Sequence, residues 1–192
     1  MAKKISNPFL LELQSGRVLF LDGAMGTMLQ AAGMPVGVSP DLFCIENPEI
    51  LMGIHLAYIS AGSDIITTCT FGANTFKLPA AVDSLDINKR LALIAREAAS
   101  RGATDAGKRI LVAGDVGPTG HFIQPLGPVA PRKMIDAFKK QIAGLAAGGV
   151  DLIFMETQFD LAELRAAVVA CREVCDLPIM VSMTFEHGVS LT

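Results

Sequence analysis

Short apolar runs alternate with longer amphipathic segments along most of the chain. The apolar runs are rich in β-branched residues and end at polar or glycine-bearing turns, which predicts five β-strands. These strands are predicted at residues 18–22, 64–69, 110–114, 152–156 and 179–183. Strands that are apolar on both faces and separated by helices pair in parallel through right-handed crossovers. The pattern therefore predicts an α/β protein.

The amphipathic segments between the strands carry helix signals of their own. The first begins with Pro48, which is favoured in the first turn of a helix. The second and third have apolar stripes at helical spacing over residues 87–98 and 135–145. Asp160 followed by Glu163 is typical of a capping box and predicts the start of the fourth.

Two architectures fit this order of elements. A five-stranded, open, doubly wound sheet suits a chain of 192 residues. A closed (β/α)8 barrel typically needs about 250 residues and eight strands. Length alone therefore favours the open sheet.

Composition and charge argue against several classes of partner. The chain is 51% hydrophobic and 18% charged, which is typical of a compact globular domain. Its net charge is −3 and its basic residues are scattered, so no nucleic-acid partner is expected. The first ten residues lack the apolar core of a secretory signal, and the longest uncharged stretch, residues 23–40, is rich in glycine and proline. We expect a cytoplasmic protein without a membrane partner.

The four cysteines are not expected to form disulfides or a metal site. Cys44, Cys69, Cys171 and Cys175 form no CxxC pair, and disulfides are not expected in a cytoplasmic chain. Cys171 and Cys175 have the spacing of two metal ligands on one helical face. Free cysteine is more commonly a small buried apolar residue, which is the preferred interpretation.

The carboxyl ends of the predicted strands carry a set of acids and hydroxyls. Parallel strands bring these ends together at one mouth in either architecture. The residues found there are Asp22, Thr70, Asp115, Glu156, Thr157 and Thr184. A single acid at such a position is equally well explained as a helix cap or turn residue. Three acids at one mouth repel each other, and a cationic ligand group would relieve that repulsion.

Glycines beside two of these acids suggest a second binding element. Gly23 and Gly26 follow Asp22, and Gly114 and Gly117 flank Asp115 in GDVGPTG. Without side chains, such residues allow backbone amides to approach a carboxylate closely. No GxGxxG or GxxxxGK[ST] motif is present, so nucleotide binding lacks its usual signature. Acids for an ammonium group and amides for a carboxylate suggest an amino-acid ligand.

Several ordered motifs resemble one enzyme family. They are LDGAMGTML, CIENPEILMGIH, AGSDIITTCTFGAN, GDVGPTG, DLIFMETQFDLAELRAAV and VSMTFE. In this order they resemble the homocysteine S-methyltransferases, and within that family the homocysteine-binding domains of cobalamin-dependent methionine synthases. The resemblance covers residues 17–192 and leaves residues 1–16 as an N-terminal extension.

The resemblance implies a (β/α)8 barrel, of which about the first five βα units are present. This differs from the open sheet that length alone favours. It implies that a zinc-activated homocysteine thiolate accepts a methyl group to give methionine. Cobalamin and methyltetrahydrofolate would act on separate downstream modules. Asp22 and Glu156 would bind the ammonium group, and glycine loops with Thr70 or Thr119 would lie near the carboxylate. The implied substrate-binding residues are Asp22, Gly23, Thr70, Asp115, Gly117, Thr119 and Glu156.

One feature of the family is missing from the sequence. Its zinc-binding cysteines follow the sixth and eighth strands, so we expect them beyond Thr192 and expect no metal ligand among the cysteines present. On this basis we expect no methyl transfer by these 192 residues alone. A partial barrel would also expose unpaired sheet edges, which predicts self-association.

Three other interpretations stay open. The chain could belong to a stand-alone homocysteine S-methyltransferase that uses another donor, such as S-methylmethionine. It could be a zinc-free amino-acid-binding or assembly module without turnover. It could also be an unrelated doubly wound protein, such as a small-ligand regulator.

Overall fold

The computed structural model describes residues 6–185. Residues 1–5 of the predicted extension and residues 186–192 of the predicted barrel domain lie outside the described residues. The helices are α1 (Pro8–Gln14), α2 (Gly26–Ala31), α3 (Pro40–Glu46), α4 (Pro48–Ser60), α5 (Ser84–Ala106), α6 (Pro131–Ala147) and α7 (Leu161–Val174). The strands are β1 (Ile65–Thr67), β2 (Leu111–Val116), β3 (Leu152–Gln158) and β4 (Ile179–Met183). The four helices predicted from the sequence correspond to α4–α7 and are confirmed.

The strands form one parallel sheet in the order β1-β2-β3-β4. Each is joined to the next by a helix, and α4, α5, α6 and α7 pack against each other in sequence. In a doubly wound sheet the strand order reverses and helices cover both faces. Consecutive order with one helical layer is instead the arrangement of a (β/α)8-type barrel. The barrel prediction is confirmed, and the open doubly wound sheet favoured by length is wrong.

The first predicted strand, residues 18–22, does not form a strand ladder. It makes one parallel bridge, Leu21 to Ile65, and its Val18 and Phe20 are 71% and 64% exposed. The prediction of a buried strand here is wrong, because the segment pairs on one side only and no element in the described range covers Val18 and Phe20; Leu19 alone packs against the base of the sheet. The bridge nevertheless holds the end of the segment, and with it Asp22, beside β1.

Side-chain alternation divides the sheet into two faces. On the outer face, Val112, Val116 and Ile153 join the core shared with the helices. On the inner face, Leu111, Ala113, Leu152 and Phe154 form a second cluster with Ile65, closed from below by Phe9 of α1. Because successive strand residues point to opposite faces, Asp115 and Glu156 continue the inner rows. The inner face is thus apolar at its base and acidic at its top.

The amino ends of the strands carry acids that are paired with cations. Asp64 accepts hydrogen bonds from Arg17 at 2.7 Å and Lys108 at 2.6 Å. Burial alone would raise the pKa of Asp64, but these contacts hold it below its usual value. Asp151 is paired with Arg96 and, at 3.4 Å, with Arg109. The acids at this end therefore have the surroundings of structural ion pairs.

The amino-terminal helix packs onto the sheet. Phe9 is buried in the inner cluster, and the Asn7 side-chain amide donates to the Asp151 carbonyl at 2.9 Å. The division between an extension at 1–16 and a barrel domain at 17–192 stays a prediction. Within residues 6–185, none of the helices has the length and apolar character needed to cross a membrane.

Candidate functional site

A cavity of about 730 Å³ opens at the carboxyl ends of the strands. Its wall comes from residues 21–26, the start of α3, the segment that follows β1, and the upper ends of β2 and β3. Phe154 from the inner apolar cluster belongs to this lining. The charged lining residues are Asp22, Asp41, Lys77, Asp115 and Glu156.

Asp22 is held in place by β1. Its carboxylate accepts a hydrogen bond from the Thr67 backbone amide at 2.8 Å and from the Thr67 hydroxyl at 3.2 Å. Burial raises the pKa of Asp22 from 3.8 to about 6, against the lowering effect of the Thr67 hydrogen bonds, and the negative charge of Glu156 adds to the rise. The carboxylate is therefore positioned but poorly stabilised in its charged form.

Asp115 is more strongly perturbed. It is 5% exposed, and its Oδ1 has no hydrogen-bond partner among the described residues. Burial raises the pKa of Asp115 well above its usual value, and the negative charge of Glu156 raises it further. Unlike Asp64 and Asp151 at the opposite end of the sheet, Asp22, Asp115 and Glu156 have no ion-pair partner in the described part of the chain. A bound cationic group would supply the missing charge.

The end of β3 has an irregular backbone next to Glu156. The register of β3 against β4 shifts between Met155 and Gln158, and Thr157 adopts a φ of 57°. Positive φ in a β-branched residue is strained and tends to occur at functional sites. The irregularity lies directly beside an acid that lines the cavity.

Sequence reasoning missed one of the acids. Asp41 lies in the first turn of α3, is 4% exposed, and accepts a hydrogen bond from the Ser39 hydroxyl at 3.1 Å. Burial raises its pKa. The residues Ser39, Pro40 and Asp41 are a recognisable helix start, but only the chain path brings that start to the mouth of the sheet.

Two predicted threonines are buried behind the cavity and do not line it. The Thr70 hydroxyl donates to the Asp115 backbone carbonyl at 2.7 Å. The amide and the hydroxyl of Thr119 both donate to Glu163 Oε1, each at 2.6 Å. These bonds connect the loops that follow β1 and β2 to neighbouring elements.

The two predicted glycines differ in position. Gly23 lines the cavity, and a Cβ there would lie 3.0 Å from the Tyr58 hydroxyl oxygen. Gly117 lies behind Phe71, where a Cβ would be 2.6 Å from both the ring and the carbonyl oxygen of that residue. Gly117 thus allows the loops after β1 and β2 to pack closely.

The cysteines form two close pairs. The sulfur atoms of Cys44 and Cys69 are 3.6 Å apart in the interior, and those of Cys171 and Cys175 are 3.8 Å apart at the end of α7. All four are free thiols. No group of three or more His, Cys, Asp or Glu side chains within residues 6–185 has an arrangement that could hold a metal ion. The described residues therefore do not fit the zinc centre that the sequence resemblance implies.

The fold and the site define an α/β-barrel-type protein with an acid-lined cavity at the carboxyl ends of its strands. The family profile of the homocysteine S-methyltransferases matches residues 19–192. The chain belongs to this family, which confirms the resemblance seen in the sequence. An unrelated doubly wound protein is thereby excluded.

Characterised relatives include two methionine synthases. The chain is 36% identical over 191 residues to that of Mycobacterium leprae (strain TN), which corresponds to 92% of this chain and 16% of the relative. It is 34% identical over 198 residues to that of Mycobacterium tuberculosis (strain ATCC 25618 / H37Rv), or 96% of this chain and 16% of the relative. The chain thus spans about a sixth of the length of these proteins.

Solved structures with the same fold include the homocysteine methyltransferase MmuM from Escherichia coli. Its apo form superimposes with a TM-score of 0.76 at 26% identity, covering 92% of this chain and 64% of that one. Its oxidized form gives a TM-score of 0.82 at 25% identity, covering 92% and 66%.

Proposed function

We propose that the chain is the homocysteine-binding part of a methionine synthase-type methyltransferase, in which homocysteine accepts a methyl group to give methionine. The observation that carries this proposal is the convergence of Asp22, Asp115 and Glu156 on one cavity without cationic partners among the described residues. The methionine synthases at 34–36% identity support the reaction type.

In this proposal the ammonium group of homocysteine binds between Asp22 and Glu156. The Thr67 hydrogen bonds orient the Asp22 carboxylate toward the cavity before the ligand arrives. Burial and the negative charge of Glu156 disfavour the charged form of Asp22 in the empty site, and a ligand ammonium reverses that effect. Asp115 is the most deeply buried of the three acids, and burial raises its pKa well above its usual value, so in this proposal it adds negative charge only when the ligand ammonium lies beside it.

The remaining parts of the reaction are proposed for other regions of the intact protein. Zinc would make the homocysteine thiolate available near neutral pH, and cobalamin and methyltetrahydrofolate would supply the methyl group. The relatives are about six times as long as the matched region, which leaves room for such modules. A cytoplasmic location and self-association through sheet edges stay predictions from the sequence.

A second candidate is a stand-alone homocysteine S-methyltransferase with another methyl donor. The likeness to the Escherichia coli homocysteine methyltransferase, at a TM-score of 0.82, favours it. A third candidate is a binding module without turnover. Methionine formation by the intact protein, measured with methylcobalamin and with S-methylmethionine and with and without added zinc, separates the three.

Calorimetric titration tests the binding site itself. L-homocysteine is titrated into the wild type, Asp22→Asn and Glu156→Gln, with Asp86→Asn on the exposed surface of α5 as the matched control. We expect at least about tenfold weaker binding in the two site variants, because each loses one charge-assisted contact, and no change in the control. 4-Sulfanylbutanoate, which lacks the amine, should bind weakly to every variant. Equal affinity of wild type and site variants for homocysteine would contradict the proposal.

A further inference from the structure

The acids of the cavity account for only one end of an amino-acid ligand. Four carboxyl groups line the cavity, and each of them in its charged form would repel the ligand's own carboxylate. The hydroxyls of Thr70 and Thr119 are engaged behind the wall, with the Asp115 carbonyl and with Glu163. Residues 23–26 also line the cavity, and their backbone amides are predicted to lie near the carboxylate, but amides carry no formal charge. A cation at the carboxylate end would offset the repulsion from the acids.

Lys77 is the one cation among the described residues that line the cavity. Its ammonium donates to the Pro118 carbonyl at 2.7 Å and lies 5.3 Å from the centre of the Phe71 ring. Phe71 is itself packed against Gly117. These contacts hold a long, flexible side chain at the mouth of the cavity. A ligand that binds to Lys77 therefore causes a smaller loss of side-chain conformational entropy than one that binds to a freely moving lysine.

The charge and donors of Lys77 are suited to a further partner. An ammonium group has three N–H donors, and the bond to Pro118 uses one. That acceptor is a neutral carbonyl oxygen, so the bond leaves the positive charge without a direct counter-ion. The positive charge of Lys77 acts to lower the pKa of Asp41 and of Glu163, against the larger effect of burial, which raises both.

We propose that Lys77 binds the α-carboxylate of the amino-acid substrate while Asp22 and Glu156 bind its ammonium group. The cavity then selects a zwitterion and discriminates against simple amines and simple carboxylic acids, since each of these lacks one of the two charges. This assignment rests on the proposed function above.

The test compares two ligands that differ only in the carboxylate. L-homocysteine and 3-aminopropane-1-thiol, which has the same amine and thiol, are titrated into the 192-residue chain as wild type, Lys77→Met and Lys77→Arg. Lys89→Met, at an exposed position on α5, is the matched control. If direct titration of the analogue gives too little heat, its affinity is measured by displacement of homocysteine.

We expect Lys77→Met to weaken homocysteine binding by about 10- to 100-fold, the usual effect of losing a hydrogen bond to a charged group. The analogue should change by less than about twofold, and Lys77→Arg should recover most of the homocysteine affinity. Equal weakening of both ligands would show that Lys77 only fastens the Pro118 loop and would overturn the assignment, as would unchanged binding of both.

The two proposals fail differently. Wild-type binding that is lost in Asp22→Asn but unaffected in Lys77→Met overturns the Lys77 assignment alone. Wild-type protein that binds neither ligand overturns the proposed function, and the Lys77 assignment with it.

Discussion

Replacing Asp22 with asparagine should stabilise the fold at neutral pH while weakening homocysteine binding. Burial raises the pKa of Asp22 from 3.8 to about 6, a difference of about two units. At about 1.4 kcal/mol per unit, the charged carboxylate lowers the free energy of unfolding by up to about 3 kcal/mol above pH 6. Asparagine has no charge to bury. Its side-chain carbonyl can still accept the hydrogen bond that the Thr67 backbone amide donates to Asp22 at 2.8 Å in the wild type.

The sign of the pH dependence follows from the direction of this pKa change. Between pH 3.8 and about 6 the folded state binds the proton that the unfolded state has released, so wild-type stability falls as the pH rises through this window. Below the window Asp22 is protonated in both states, and above it the penalty is constant. The advantage of Asp22→Asn should therefore be largest above pH 6 and fall below about 1 kcal/mol at pH 4.

Urea denaturation of wild type and Asp22→Asn at pH 7 and pH 4 measures this difference. Asp86→Asn is the control, since Asp86 is exposed and its loss should change stability by less than about 0.5 kcal/mol at either pH. A variant no more stable than wild type at pH 7, or a stabilisation of equal size at both pH values, would refute the account of Asp22 as a destabilised, functional acid.

Three further outcomes are expected. Homocysteine affinity should fall as the pH drops below about 6, because protonated Asp22 no longer attracts an ammonium group; calorimetry from pH 5 to 8 measures this, and a flat profile would count against it. Gly117→Ala should destabilise by about 1–3 kcal/mol through overlap with Phe71, whereas Gly53→Ala, with open space around it in α4, should be neutral or stabilising; thermal melting compares the two. Thr119→Val should cost about 1–2 kcal/mol by removing a hydrogen bond to buried Glu163, yet leave homocysteine affinity unchanged, and a selective loss of affinity would instead place Thr119 in the site.

Part of the site could be predicted because strand geometry is local. Alternation along β2 and β3 places Asp115 and Glu156 on the same face as Ala113 and Phe154, and the rule for parallel strands brings their carboxyl ends together. The shared position of these acids therefore follows from residue spacing and strand direction.

Other parts of the site depend on how loops travel through space. The helix start at Asp41 and the loop residue Lys77 carry no local mark that assigns them to the cavity, and their place follows from the packing of α3 and of the segment after β1. Conversely, Thr70 and Thr119 lie in the loops directly after β1 and β2, but nearby acceptors turn their hydroxyls away from the cavity.

Spacing within short segments is enough to specify the periodic elements, the α/β class and the row of acids at the strand ends. Three features needed the folded chain. They are the consecutive strand order in place of a doubly wound sheet, the exposure of Val18 and Phe20, and the presence of one lysine with four acids in the described lining of the cavity. Those features arise from contacts between residues far apart in the chain, and no local period encodes such contacts.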